Sequence, residues 1–234
     1  MNGEEKLKTG IAGLDDMLGG GVPEGQIIAL LGSCGTGKTT LSLQFIWHGL
    51  QNGQKGVFIS LEEDEESITK NAASYGWALK PHLDSGDLTL VKLEPADAKT
   101  TIHRIKGELP QYIKETGVKR VVFDSVSLLS MMFDSESAQR SGLFTLCEQI
   151  KASRATAMLT AEVKDENPAA SRDGLVEYVA DGVILLRYKE TADESDVHLS
   201  LRIIKMRRVK HSRRIKPYTI SDKGIVVHAE AEVF

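Results

Sequence analysis

The sequence contains few cysteine, proline or aromatic residues. Its 234 residues include 2 cysteines, 6 prolines and 6% aromatic side chains. Two cysteines cannot build a disulfide framework, and Cys34 and Cys147 lack the spacing of a zinc site. The sequence therefore excludes a disulfide-stapled secreted scaffold and a cysteine-rich zinc domain, and it suits a reducing compartment.

A long apolar run is also missing. No stretch reaches the roughly 20 apolar residues that a transmembrane helix needs. Residues 1–8 are charged where a secretory signal would have its apolar region. We therefore expect a cytoplasmic location without membrane insertion.

Excess charge of either sign is absent as well. The formal net charge is −4, which argues against a protein that coats nucleic acid. Hydrophobic residues make up 41% of the chain and charged residues 26%, as is ordinary for a soluble α/β protein. This length can bury one large core, so we expect residues 1–234 to form a single domain.

A glycine-rich loop follows the first apolar run. Residues 32–39 read Gly-Ser-Cys-Gly-Thr-Gly-Lys-Thr and fit GxxxxGK[ST], between a predicted strand (27–31) and a predicted helix (39–52). In this context backbone N–H groups, a helix dipole and the Lys38 ammonium converge on one anion. The hydroxyl of Thr39 would bind a Mg²⁺ that also holds the β- and γ-phosphates. A glycine turn that contains a lysine by chance would not explain the flanking strand and helix, so we expect a Mg-nucleoside triphosphate.

A second nucleotide motif ends a later apolar strand. Residues 120–124 read Arg-Val-Val-Phe-Asp, the Walker B pattern, in which a carboxylate organises Mg²⁺ and its waters. This motif is weak alone, but the loop upstream strengthens it. We expect Asp124 to act on the metal through water.

Five acidic residues follow the second predicted strand. They occupy positions 62–66, at the strand end where ligands bind in open α/β sheets. Phosphoanhydride hydrolysis needs a group that orients or deprotonates water, and we expect Glu62 in that role, with Glu63 supporting it or either one contacting the metal shell. The alternative is that the acids only stabilise the N-terminus of the next helix, which suits residues 64–66 best.

Strand and helix patterns alternate along the chain. We therefore predict an α/β fold with a mostly parallel, twisted sheet flanked by helices and a C-terminal antiparallel extension. A short helix is predicted at 9–18, and Pro110 is expected to kink or break a helix at 102–116. Further strands are predicted at 57–61, 88–93, 155–161, 183–187, 197–204, 215–220 and 225–227, and a further helix at 137–153.

These motifs together resemble KaiC-type ATPases of the RecA superfamily. The resemblance is carried by residues 10–25, the glycine loop, Ser60-Leu-Glu-Glu, Phe123-Asp-Ser and Lys205-Met-Arg. It implies a RecA-like core, slow hydrolysis of ATP with Mg²⁺, and self-assembly, usually into a hexameric ring with ATP between subunits. In such families the nucleotide state acts on signalling or motor partners. Carried over, the nucleotide positions are Gly35, Thr36, Gly37, Lys38, Thr39, Thr40, Ser74 and Asp124 of one subunit and Lys205, Met206, Arg207, Val209 and His211 of its neighbour, with Glu62, Glu63, Lys38 and Arg207 as the catalytic residues.

The chain also departs from that family. Glu177 and Tyr178 stand where the phosphorylated repeat of the clock protein has adjacent serine and threonine, so we expect no autophosphorylation of that kind. Arg208 replaces the glycine after the Lys-Met-Arg motif, and the resemblance covers one ATPase repeat.

Basic residues concentrate near the C-terminus. Three interpretations remain: a solvated hairpin, a nucleic-acid patch, or cations that serve a neighbour's nucleotide. On an extended strand Lys205 and Arg207 would lie on one face about 7 Å apart, close enough to approach one triphosphate. The basic residues are Arg202, Lys205, Arg207, Arg208, Lys210, Arg213, Arg214 and Lys216.

Three functions are consistent with these features. The first is a ring-forming, slow ATPase that signals through partners, and the second is a module in which ATP only controls assembly. The third is a RecA-like or RadA-like DNA-binding ATPase, which needs basic or aromatic loops facing the ring channel. The predicted loop at 163–175 offers Lys164 and Arg172 against Asp165, Glu166 and Asp173, so nucleic acid is possible but not favoured.

Overall fold

The computed structural model describes residues 5–93, 98–164, 170–172, 174–190 and 196–231. The strands are β1 (Lys6–Leu7), β2 (Val22–Pro23), β3 (Ile27–Leu31), β4 (Gly56–Ser60), β5 (Leu88–Lys92), β6 (Arg120–Asp124), β7 (Thr156–Ala161), β8 (Gly182–Glu190), β9 (Val197–Met206), β10 (Lys216–Ser221) and β11 (Gly224–Val227). The helices are α1 (Leu14–Met17), α2 (Lys38–Gln51), α3 (Glu65–Ser74), α4 (Lys80–Ser85), α5 (Ala98–Thr116), α6 (Val126–Ser130), α7 (Glu136–Ala152) and α8 (Val176–Val179).

In the described part of the chain, nine strands form one sheet in the order β11-β10-β9-β8-β3-β7-β6-β4-β5. The strands from β8 to β5 in this order are parallel, whereas β9, β10 and β11 pair antiparallel. The small β1–β2 pair is separate. The predicted α/β fold, with its parallel sheet and C-terminal antiparallel extension, is confirmed.

The central strand β3 separates two layers of core. All five of its residues are buried. Ile28 and Leu30 pack with the side chains of α2, whereas Ile27, Ala29 and Leu31 pack with those of α7. Successive side chains of a strand point to opposite faces, so an unbroken apolar run covers both faces of a sheet lying between helices.

The two ends of the parallel strands lie at opposite edges of the sheet. The carboxyl ends of β3, β4, β6 and β7 meet at one edge, so the segments that follow them are neighbours. At the opposite edge, the end of β9 pairs with the beginning of β8, through Met206 and Gly182. This opposite edge carries the sequence around Lys205 and Arg207.

Two local predictions need correction. The helix predicted at 9–18 is limited to α1, because the Asp15 carboxylate accepts hydrogen bonds from both the N–H and the hydroxyl of Thr9, at 2.8 and 2.7 Å, and fixes a turn instead. Helix α5 continues through Pro110, so the break that was one of the two expected effects of this proline does not occur. Among the described residues, no helix is long and apolar enough to cross a bilayer.

Candidate active site

Residues 32–37 form a tight loop from β3 into α2. Gly35 and Gly37 adopt φ values of +78° and +80°, which L side chains rarely adopt. A Cβ atom on Gly37 would lie 2.8 Å from Ile220 Cδ1, whereas one on Gly35 would have no atom within 4 Å. The loop is therefore closely packed at its base and open at Gly35, where the N-terminus of α2 can receive an anion.

Lys38 lies across this loop. Its Nζ donates to the Ser33 carbonyl oxygen at 3.0 Å, and the Thr36 hydroxyl donates to the same oxygen at 2.8 Å. The ammonium and the Thr36 hydroxyl thus share one carbonyl oxygen of the loop.

Thr39 and Asp124 meet although they are 85 residues apart. The Thr39 hydroxyl donates to Asp124 Oδ2 at 2.7 Å, and the Thr160 hydroxyl donates to Asp124 Oδ1. Asp124 is 7% exposed. Hydroxyl and carboxylate oxygens suit Mg²⁺, which commonly keeps several waters and takes further ligands from substrate phosphates. The described residues contain no cluster of three or more His, Cys, Asp or Glu side chains that could hold a metal.

Glu62 and Glu63 follow β4 at the same edge. The Ser60 hydroxyl accepts hydrogen bonds from their backbone N–H groups at 3.2 and 2.8 Å, which fixes the turn. Glu62 is exposed, with Oε1 3.4 Å from Ser125 Oγ. Asp64 instead caps α3, since it accepts from the Ser67 N–H at 2.8 Å. The acidic run is therefore divided between the candidate site and the start of a helix.

Glu63 is partly buried among other acids. Its pKa is raised, first by burial and then by the negative charges of Asp124, Glu62 and Asp64. A raised folded-state pKa contributes stability that is complete below the unfolded pKa and is lost as pH rises through the folded pKa. Ionised Glu63 therefore destabilises the nucleotide-free protein at neutral pH.

Replacing Glu63 with glutamine should remove this repulsion. Without nucleotide, we expect Glu63→Gln to raise Tm by about 1–3 °C at pH 7.5 and to lose most of this gain at pH 4.5, measured by scanning calorimetry. The control is Glu66→Gln, because exposed Glu66 instead pairs with Lys70 at 2.6 Å and should gain nothing. A Tm of Glu63→Gln at or below that of the wild type at pH 7.5 would contradict this account.

Lys205 and Arg207 lie at the other edge of the sheet. Lys205 Nζ donates to the carbonyl oxygens of Glu177 and Ala180, at 2.9 and 2.6 Å. Burial and then the charge of Arg207 lower the pKa of Lys205. Arg207 Nη1 lies 3.2 Å from Asp181 Oδ1. The rise of β3 alone, roughly 13 Å, separates this edge from the glycine loop of the same chain.

Five further residues that the resemblance placed at the nucleotide lie in different environments. Met206 is buried against Gly182, where an added Cβ would lie 2.6 Å from its Sδ. Val209 packs against the core, and His211 Nδ1 lies 2.9 Å from the Ser212 carbonyl oxygen. Ser74, exposed at the end of α3, donates to the Asn71 carbonyl oxygen, and Thr40 Oγ1 lies 3.3 Å from Tyr75 Oη.

Three supporting residues were not assigned from the sequence. Thr160 holds Asp124, and buried Tyr218 donates to the Thr36 carbonyl oxygen at 2.6 Å, so β10 braces the glycine loop. Burial raises the pKa of Tyr218, which keeps its hydroxyl a donor. Asp181 holds Arg207. Only Thr160 had a sequence signal, its position at a strand end.

Known proteins resemble this chain in sequence and in fold. The family model for KaiC ATPases matches residues 7–232. The chain belongs to the KaiC ATPase family. It is 34% identical to a UPF0273 protein of Thermotoga maritima, across 96% of this chain and 96% of that protein. It is also 33% identical to the circadian clock oscillator protein KaiC of Prochlorococcus marinus, across 96% of this chain but only 45% of that protein, so it spans less than half of this relative.

A solved structure agrees with the family match. The crystal structure of a KaiC-like protein from Pyrococcus horikoshii superposes with a TM-score of 0.86 at 32% identity, covering 96% of this chain and 99% of that one. The resemblance to KaiC-type ATPases and the predicted RecA-like core are confirmed. Membership of an ATPase family also supports nucleotide binding.

Proposed function

We propose that this chain binds Mg-ATP at residues 32–39 and hydrolyses it slowly, as one domain in a ring of identical subunits. The observation that carries the proposal is the convergence of Lys38, Thr39 and Asp124 with two carboxylates at one edge of the sheet. In the cytoplasm, the nucleotide state of the ring, a hexamer in this proposal, would control its interaction with signalling or motor proteins.

The oxygen atoms of Thr39 and Asp124 fit a magnesium site. Thr39 would bind the ion through its hydroxyl, and Asp124 would act through a bound water, while Thr160 keeps the carboxylate oriented. When bound, Mg²⁺ neutralises charge on the β- and γ-phosphates. Lys38 would leave the Ser33 carbonyl for the phosphates. Residues 35–40 would supply backbone N–H donors to the same phosphates.

Glu62 is the candidate base. Its exposed carboxylate lies beside Ser125, which follows the metal carboxylate directly in the chain. From that position it could orient and deprotonate the attacking water, or contact the metal shell. Glu63 is less exposed than Glu62, and the negative charge of Asp124 helps to raise its pKa. We therefore assign Glu63 a supporting role.

Charge distribution favours a head-to-tail ring. The phosphate-binding edge carries the acidic residues 62–66, whereas the opposite edge carries Lys205, Arg207 and further cations. A head-to-tail contact would bring the basic edge of one subunit to the nucleotide edge of the next. Arg207, with 51% of its side chain exposed, would then supply a cation to the neighbour's triphosphate.

The DNA-binding alternative has weaker support. Arg172 forms an ion pair with Glu162 at 3.1 Å, so its charge is partly neutralised. Asp165, Glu166 and Asp173, which weighed against DNA in the sequence, lie outside the described residues. We therefore do not favour nucleic acid as a partner.

Cys34 permits a direct test, because it is exposed within the glycine loop. Mg-ATP should slow its alkylation severalfold, measured by mass spectrometry, and the same preparation should release phosphate. Cys147 should not react, since it is buried and burial raises its pKa to about 12. Cys34→Ser supplies the background.

The two readouts separate the candidate functions. Protection with phosphate release supports the ATPase, whereas protection without release would identify a non-catalytic, ATP-dependent assembly module. Equal labelling rates with and without saturating Mg-ATP, in a preparation that releases no phosphate, would refute the proposed function. Equal labelling together with phosphate release would show that the Cys34 thiol points away from the nucleotide.

A further inference from the structure

Asp181 is a buried carboxylate that contacts both the beginning of β3 and the side chain of Arg207. Its side chain is 6% exposed. Oδ2 accepts the N–H of Ile27 at 3.1 Å, at the beginning of β3, while Lys151 Nζ lies 3.0 Å from the carboxylate. Oδ1 lies 3.2 Å from Arg207 Nη1. We propose that Asp181 is a positioning residue that orients Arg207 toward the nucleotide of the neighbouring subunit, an inference that rests on the proposed action in trans.

The backbone around Arg207 is fixed by the same group of residues. The Arg207 N–H donates to the Asp181 carbonyl oxygen at 3.0 Å, and Gln26 Nε2 donates to the Arg207 carbonyl oxygen at 3.0 Å. Arg207 lies just beyond β9, so these two bonds hold its backbone while its side chain contacts the Asp181 carboxylate. The Asp181 carboxylate therefore supplies the orienting side-chain contact.

The contact to Asp181 leaves much of the guanidinium available. A guanidinium has five N–H donors in a planar fork, and the Asp181 contact uses Nη1. Half of the Arg207 side chain is exposed. The fork can thus remain on Asp181 with one nitrogen and present its others to phosphate oxygens, with less rotamer entropy to lose than a mobile arginine.

Asp181 and Arg207 both stay charged, and the group around them keeps a net positive charge. Burial alone would raise the pKa of Asp181, but the Ile27 N–H, Lys151 and Arg207 outweigh it and lower that pKa. One ionised carboxylate then faces two cations, with Lys205 beside them. The group stays net positive, as contact with a triphosphate requires.

Asp181 also has a role in its own subunit that must be separated from the proposed one. Through Ile27 it touches the beginning of β3, whose other end leads into the subunit's own glycine loop. A substitution could therefore act in cis through β3 or in trans through Arg207. The two routes affect different subunits of an interface.

Mixed rings distinguish the routes. In a mixture of Glu62→Gln and Arg207→Ala subunits, an active interface takes its glutamate from the Arg207→Ala subunit and its arginine from the Glu62→Gln subunit. Asp181→Asn preserves side-chain size and an oxygen acceptor but removes the charge. Placed in the Glu62→Gln subunit, it should lower steady-state phosphate release by about tenfold or more. Placed in the Arg207→Ala subunit, where there is no arginine to orient, it should change the rate by less than ~2-fold.

Each outcome has one meaning. Equal loss in both placements, loss only in the Arg207→Ala subunit, or no loss in either would overturn the positioning role. No recovery in the parental mixture, despite mixed rings seen by native mass spectrometry, would instead refute action in trans. If Asp181→Asn does not fold, Asp181→Glu keeps the charge for Lys151, moves the carboxylate by one methylene, and should show the same asymmetry. Melting curves of every double variant verify that the subunits compared are folded.

Discussion

Glu62→Gln protein is expected to bind Mg-ATP with nearly wild-type affinity and to hydrolyse it on the order of 100-fold more slowly. The amide retains the shape of the side chain and its contact distance to Ser125, but it cannot accept a proton from water. Equilibrium binding of a fluorescent ATP analogue and single-turnover phosphate release would measure the two effects separately.

Glu65→Gln is the matched control. Glu65 is an exposed acid in the first turn of α3, three residues further along the same acidic run. The substitution makes the same change in charge without touching the candidate base, so turnover should stay within about 2-fold of the wild type. Turnover of Glu62→Gln inside that same range would remove Glu62 from the mechanism.

Arg207→Ala subunits should be nearly inactive alone yet active when mixed with Glu62→Gln subunits. In an equal, randomly assembled mixture, half of the interfaces have an intact glutamate and half of those meet an intact arginine, so ~25% are complete. Phosphate release should therefore return to a substantial fraction of the wild-type rate after subunit exchange. At a complete interface the Arg207→Ala subunit supplies an intact Glu62, and the Glu62→Gln subunit supplies an intact Arg207. Neither substitution therefore affects catalysis at that interface.

The control for Arg207 lies in the same basic segment. Arg213 is exposed and follows β9, so Arg213→Ala removes a cation from that segment without removing the group held by Asp181. It should be active by itself. If native mass spectrometry detects mixed rings of Arg207→Ala and Glu62→Gln but their rate is no higher than that of either parent, Arg207 serves its own site or only the fold.

The candidate site could be predicted where its chemistry is local in sequence. The glycine loop needs consecutive residues between a strand and a helix, and Asp124 marks the end of an apolar run, so both can be found without knowing which strands are neighbours. The position of Glu62 beside them follows from the general rule that parallel strands end at one edge of the sheet. The pairing of β4 with β6 agrees with this expectation.

The supporting contacts could not be predicted in the same way. Thr160 reaches Asp124 because β7 lies beside β6, and Tyr218 reaches Thr36 because β10 and β11 fold over the loop. Both contacts depend on strand order, which periodicity does not encode. The helices α4, α6 and α8 contain six, five and four residues, too few for a helical repeat to stand out.

The error at residues 9–18 has a local cause. An apolar spacing compatible with a helix extends from Ile11 to Leu18, but Gly10 and Gly13 both adopt positive φ values. The Asp15 carboxylate completes the turn by accepting the Thr9 and Gly10 N–H groups. A side chain that satisfies backbone donors outside a helix competes with helix formation, and here it limits α1 to four residues.

The position of β3 in the middle of the sheet has a consequence for biosynthesis. Its neighbours are β7 and β8, so a growing chain exposes this five-residue apolar strand without either partner until residues 156–161 and then 182–190 have left the ribosome. Because Tyr218 braces the glycine loop, that contact also cannot form until the chain has grown to residue 218. During synthesis β3 is therefore an apolar strand with unpaired edges, prone to aggregation until β7 and β8 pair with it.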